Sequence, residues 1–227
     1  MSLMRRALTL CIVLTILPTM VTMAAAQALP VAAPLPPTRL QALKAIEHPE
    51  PAVRRAATAR LGEVGTMKDA DRLIARLRDD DPPVRQLAEA ALWQIWSRSG
   101  DRAVDALFLR GVQQMEASQM VEAVATFSEV IRRKPAFAEG WNKRATAYYL
   151  LGRFELSMQD CDEVLKRNRN HFGALSGYGQ MYLTLGDIDR AQSYFERAFK
   201  LNPNMAGVAA NLRLIEKYRE TKRRRTI

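Results

Sequence analysis

A 34-residue period runs through the second half of this 227-residue chain, and no other feature restricts its fold as strongly. Residues 138–171 fall into register with 104–137 when shifted back by one period, and with 172–205 when shifted forward. Large apolar residues stand early in each unit (Leu107, Trp141, Leu175), with a small residue four positions later (Gly111, Ala145, Gly179). Another small residue opens each second half (Ala123, Ser157, Ala191). It is followed by a bulky or soft one (Phe127, Cys161, Phe195) and then a compact one (Val130, Val164, Ala198). Pro135 and Pro203 close the first and third units. A period of this length belongs to helix-turn-helix arrays.

Each unit reads as two amphipathic helices with apolar residues three and four apart. In the second unit Trp141, Ala145 and Tyr148 make one stripe, and Leu156, Cys161, Val164 and Leu165 the other. Gly152 and Gly186 break the helix pairs where positive φ is least costly for glycine. One such hairpin cannot bury its own apolar face, so neighbours must stack, and small residues mark close helix crossings. These recurring positions resemble the tetratricopeptide repeat over residues 104–205. Arg144 stands where that family usually has Leu, Arg169 replaces the closing proline, and Ser118 replaces the turn glycine.

A second repeat precedes the first, with an offset of 31 residues. Pro51, Val53-Arg54, an alanine-rich stretch and Leu61 match Pro82, Val84-Arg85, a second alanine-rich stretch and Leu92. Ala70, Leu73, Ile74 and Leu77 form a helical stripe between them. This pattern resembles HEAT-type repeats. Asp79-Asp80-Asp81, ahead of Pro82-Pro83, reads as a helix N-terminus rather than a cation site. Trp93 and Trp96 are expected to face the first 34-residue unit and fill the junction between the two repeat types. Asp101 starts a helix directly after Gly100, so the two halves should abut in one continuous solenoid.

The expected architecture is therefore all-α, a right-handed α-solenoid. It comprises a HEAT-like arm (38–100), three tetratricopeptide-like units (within 101–205), a capping helix (206–220) and a basic tail (221–227). The N-terminal region is different. Arg5 and Arg6 precede an apolar run and then Ala24-Ala25-Ala26, the order of a secretory signal peptide over residues 1–28. Cleavage after Ala26 or after Ala28 fits, and the alternative is an uncleaved inner-membrane anchor. Removing two arginines and no acids lowers the net charge from +10 to +8. Residues 29–37 are a proline-rich linker. Cys161 is then the one cysteine left, on a buried stripe, and reads as a core thiol. Export to a periplasm is the expected localisation.

Nothing in the sequence assembles a catalytic or metal centre. His48 and His171 are far apart, no Cys/His ligand set remains, and no phosphate-cradling or nucleophile-elbow motif occurs. The expectation is a non-enzymatic chain without cofactors or metal.

In the resembled family, the first helix of each unit lines a concave groove. By register, that implies a partner-binding strip of Phe108, Val112 and Met115 from the first unit. Asn142, Thr146 and Tyr149 follow from the second, and Ser176, Gln180 and Leu183 from the third. Phe108 and Val112 stand where the family's carboxylate-clamp members need Lys and Asn, so a receptor for C-terminal carboxylates is not implied. The apolar strip with amide and hydroxyl edges suits a peptide or an amphipathic helix of a protein partner. The arm or the last helix filling part of that surface is the alternative. Lys222, Arg223, Arg224 and Arg225 form a cationic tail suited to anionic membrane or an acidic partner. No nucleic acid is expected. Two functions follow as expectations: a scaffold or adaptor of the cell envelope, or a membrane-surface structural protein that uses the tail.

Overall fold

The computed structural model describes residues 34–224, so residues 1–28 expected to be a signal peptide, most of the expected linker and Arg225 lie outside the described residues. Eleven α-helices and one 3-10 turn, with no strand, make up the described chain. The arm contains α1 (Arg39–Ala45), α2 (Pro51–Val64), the 3-10 turn (Met67–Asp69), α3 (Ala70–Arg76) and α4 (Pro82–Trp96). The three 34-residue units are the pairs α5 (Arg102–Glu116) and α6 (Met120–Arg133), α7 (Ala138–Leu150) and α8 (Phe154–Arg167), and α9 (Phe172–Leu185) and α10 (Ile188–Leu201). A last helix, α11 (Ala206–Arg224), covers the end. The chain is an α-solenoid of helical repeats. Among the described residues, no helix is long and apolar enough to cross a membrane.

The helix boundaries follow from local chemistry. Thr38 and Gln41 form a reciprocal capping box at α1. Pro51 and Pro82 occupy first-turn positions, where a missing N–H is harmless. Asp81, Asp101 and Asp187 accept backbone N–H groups at the starts of α4, α5 and α10. Gly152 and Gly186 end α7 and α9 with φ of 72° and 81°; at the corresponding turn of the first unit Ser118 adopts φ 60°. That residue accepts a left-handed conformation that costs a side chain more than it costs glycine.

Glycines facing phenylalanines set the spacing within the first and third hairpins. A Cβ on Gly111 would lie 2.6 Å from the Phe127 ring, and one on Gly179 would lie 2.5 Å from Phe195. The second unit changes both sides together, setting Ala145 and Cys161 in one buried cluster. Arg144 is explained by its partners. Its guanidinium donates to both carboxylate oxygens of Asp160 at 2.8 and 2.7 Å and to the Ser128 hydroxyl at 2.9 Å, tying the second unit to the first.

Of the three aspartates before α4, Asp81 caps the helix as expected, accepting from Val84 N at 3.0 Å. Asp79 and Asp80 instead bind Arg54, a buried arginine that also donates to the carbonyls of His48 and Pro49. Burial pushes the Asp79 carboxyl up, but the Arg54 hydrogen bonds and charge prevail and hold it below the usual range.

The arm corrects one expectation. Trp93 and Trp96 do not face the first unit. They pack at the start of the third, with Trp96 stacked on His171 at 4.6 Å and both indoles near 5 Å from Phe172. Phe172 joins Leu61, Leu73, Leu92 and Ile95 in one core, with Leu201 and Met205 packed against it. Further along, Arg78 donates to the carbonyls of Lys200 and Leu201, and Asn204 donates to that of Leu77 at 2.8 Å. The arm thus folds back across the loops that lead into α9 and α11.

Candidate partner-binding groove

Helices α7, α9 and α11 begin at residues 138, 172 and 206, one period apart, so α11 occupies the place of a fourth first-helix. In the register of the resembled repeat the inner surface is that of the first helices α5, α7, α9 and α11, and the arm packs against the start of α9 through Trp93 and Trp96.

The part near the N-terminal ends of α7 and α9 is filled. Glu139, in the first turn of α7, is fully buried and lies 2.9 Å from His171 Nε2. The other ring nitrogen, Nδ1, accepts the Ala174 N–H at 3.0 Å and caps α9, so Nε2 carries the proton and donates to the carboxylate. Asn142 donates to Glu139 Oε1 at 3.0 Å, and Lys143 Nζ lies 3.6 Å away. Burial pushes the Glu139 carboxyl up; the His171 hydrogen bond, the Lys143 charge and the Asn142 amide outweigh it and hold the group below the usual carboxylate range. A Cβ on Gly173 would lie 2.7 Å from Trp93.

The expected strip therefore splits. Phe108 is 6% exposed and packs edge-on to Phe137 at 5.2 Å, and Leu183 is 3% exposed within the third unit's core. Both hold the fold instead of offering a surface: Phe108 packs against Phe127 and Phe137, and Leu183 belongs to the cluster that also holds Phe195, Val208 and Ile215. Asn142 is committed to Glu139. Val112 and Met115 are half-buried against the first unit's core.

The remaining predicted residues sit on the open part. Thr146, Tyr149, Ser176 and Gln180 are all half-buried. Tyr149 lies 5.5 Å from Phe154; burial raises its phenol above the usual value, and a hydrogen bond with Thr184 partly offsets this. Gln180 accepts from Asn211 of α11 at 3.5 Å, and its Nε2 is buried without a hydrogen-bond partner among the described residues. Leu150, 43% exposed, and Leu214, 36% exposed, extend the apolar character at positions implied by the same register. Lys222, Arg223 and Arg224 are the last turn of α11, so the cationic segment is helical up to residue 224.

Among the described residues no cluster of His, Cys, Asp or Glu could hold a metal ion. Cys161 is buried, and its thiol is pushed up to about 12 by burial and by the nearby charges of Asp160 and Asp162. The groove can offer van der Waals contact and hydrogen bonds, the chemistry of recognition.

The fold and the groove define a helical-repeat solenoid. Family models of the tetratricopeptide repeat match residues 114–172 and 173–205, and one of HEAT repeats matches residues 18–93. A TPR repeat-containing protein of Rhizobium etli is 30% identical over 134 residues, 59% of this chain and 66% of that protein. Human RNA polymerase II-associated protein 3 is 26% identical over 152 residues, covering 65% of this chain and 22% of its own length. The chain thus spans just under two thirds of the first relative and about a fifth of the second. Among solved structures, the Sgt2 TPR domain from Aspergillus fumigatus superposes with a TM-score of 0.51 at 19% identity, over 55% of this chain and 83% of that one. That likeness concerns the fold.

Proposed function

We propose that this chain is a non-enzymatic interaction scaffold of the cell envelope that holds a segment of a partner protein in the open part of its groove. One observation carries the reading. Tyr149, Leu150, Thr146, Gln180 and Thr184 stay accessible along consecutive first helices, while the arm seals the adjoining part of the same surface. A half-buried tyrosine with an apolar neighbour and flanking amide and hydroxyl groups is the make-up of an anchoring pocket. The sealed part leaves no room for a ligand that runs the full length of the surface, so the partner segment is short. The basic, apolar and small-residue order of residues 1–28 supports export, with an uncleaved anchor as the alternative.

The test is affinity capture from envelope extract with the chain lacking residues 1–28, beside a Tyr149→Lys variant checked by circular dichroism. A protein retained by the wild type at low and high salt and lost by the variant supports the groove. Equal recovery by both overturns it. Fractionation of a tagged full chain tests export.

A further inference from the structure

Among the described residues, three of the large apolar side chains that stay exposed belong to the start of the arm. Leu40 of α1 is 63% exposed, Met67 of the 3-10 turn 47%, and Leu35, just ahead of α1, 43%. Two ion pairs bring these segments together. Arg39 donates from Nε to Asp69 at 2.7 Å, and Arg72 pairs with Glu47. Helix α1 is thus tied to the 3-10 turn and to the first turn of α3, with Leu40 on the stretch between the two ties. Arg60 of α2 donates to the Pro37 carbonyl at 3.0 Å and fixes the segment that carries Leu35. Leu40 and Lys44, four residues apart, share the outward side of α1, while Ala42 and Ile46 are buried in the arm's core.

The charges select the occupant. Each carboxylate near these side chains is already engaged: Asp69 by Arg39, Glu47 by Arg72, Glu63 by Arg60, and Asp71 by the Asn170 amide. Lys44 and Lys68 are exposed and have no ion-pair partner among the described residues. The face therefore offers protruding apolar side chains beside two uncommitted cations. A lipid surface conforms to side chains that protrude from a linker, a helix and a turn, whereas a protein partner would have to be shaped to all three. The sequence upstream agrees. The apolar run of residues 7–17 joins this face through residues 18–33, a stretch that spans at most about 55 Å, so an uncleaved anchor would hold the face near a bilayer.

We propose that this end of the arm lies on an anionic membrane surface. Leu35, Leu40 and Met67 enter the boundary between headgroups and acyl chains, and Lys44 and Lys68 meet lipid phosphates with their stems on the apolar side. The face lies outside the concave groove and does not depend on it. It is also separate from the cationic end of α11.

The test is flotation with vesicles of about 3:1 phosphatidylcholine to phosphatidylglycerol. The chain lacks residues 1–28, so that the apolar run cannot insert by itself, and every described residue is kept. We expect binding roughly tenfold tighter than to phosphatidylcholine alone. Leu40→Ser with Met67→Ser should weaken that binding by about tenfold or more. Lys44→Glu with Lys68→Glu should abolish the preference for phosphatidylglycerol. Arg223→Glu with Arg224→Glu, which changes the net charge by the same amount, should keep it; circular dichroism confirms that each variant is folded. No binding, equal binding to both vesicle types, undiminished binding by the arm variants, or a loss in the α11 variant as large as in the lysine variant would overturn the proposal. Sedimentation showing a dimer that Leu40→Ser with Met67→Ser disperses would also overturn it, by making a second copy of this chain the occupant.

Discussion

Glu139 and His171, the first-turn residue of α7 and the cap of α9, meet through one hydrogen bond of 2.9 Å in a site closed to water. This contact joins α7 to the cap of α9, and Trp96 of the arm stacks on the same imidazole. Three parts of the chain therefore depend on one buried pair. An unsatisfied buried donor costs about 1–3 kcal/mol, so the pair's integrity affects more than one helix.

Glu139→Gln should lower the unfolding free energy at neutral pH by about 1–3 kcal/mol. Because the folded carboxyl titrates below its ordinary value of 4.5, its stabilisation is complete above that pH. It is lost as the pH falls through the lower folded value. The gap between wild type and variant should narrow in acid, read by urea denaturation from neutral pH downward. A gap that stays constant into strong acid would contradict the titration of this carboxylate.

Trp96→Ala should cost about 3–5 kcal/mol, the usual range for truncating a buried aromatic. The distribution of the loss is the more telling measurement. Hydrogen exchange should quicken at Ala174 and the start of α9, where the indole covers His171 and Phe172, and should leave α6 unchanged. Uniform loosening of all the helices would mean that the arm is not a separable contact.

The 34-residue period made the helix pairs legible, because packing within a hairpin repeats the same Gly-to-Phe or Ala-to-Cys exchange at the same positions. Capping by Asp81 and burial of Cys161 were legible for the same local reasons. The docking of the arm was not. It depends on Trp93 and Trp96 fitting against His171 and Phe172, a match between elements that neither period describes. That one long-range contact buries Glu139 and turns Asn142, its hydrogen-bond partner, from a groove residue into a core residue. The inward turn of Phe108 and Leu183 was readable in principle, since both neighbour the small positions at which the helices cross.

Gly179→Ala should destabilise the chain by about 1–3 kcal/mol, since the new Cβ would lie 2.5 Å from the Phe195 ring. Gly207→Ala should do the reverse. A Cβ there meets nothing within 4 Å, and restricting the unfolded chain contributes about 0.4–1 kcal/mol. Thermal denaturation of the two variants should show shifts of opposite sign.

Arg144→Leu installs the family's usual residue and should still destabilise. It leaves the buried Asp160 carboxylate without its bidentate partner and Ser128 without a donor. Charged hydrogen bonds of this kind contribute about 1.5–3 kcal/mol, and Arg144 is part-exposed, so the lower end of that range applies. Adding Asp160→Leu should recover part of the loss, because the stranded charge is removed along with its partner. Failure of the second substitution to recover any stability would show that the arginine acts through its guanidinium lying over the Trp141 and Tyr148 rings, and not through the ion pair.

Cys161 should report on opening of the second unit. Its thiol is pushed up to about 12 and is buried between α7 and α8, so the nucleophilic thiolate is scarce and inaccessible in the folded chain. Iodoacetamide at mildly alkaline pH, followed by mass mapping of the Cys161 peptide, should leave it unmodified in buffer and label it fully in urea. The Arg144→Leu variant should label faster than wild type in buffer, because Asp160, the neighbour of Cys161, then loses the clamp that ties α8 to α7. Rapid labelling of the wild type in buffer would mean that the hairpin opens far more readily than its packing implies.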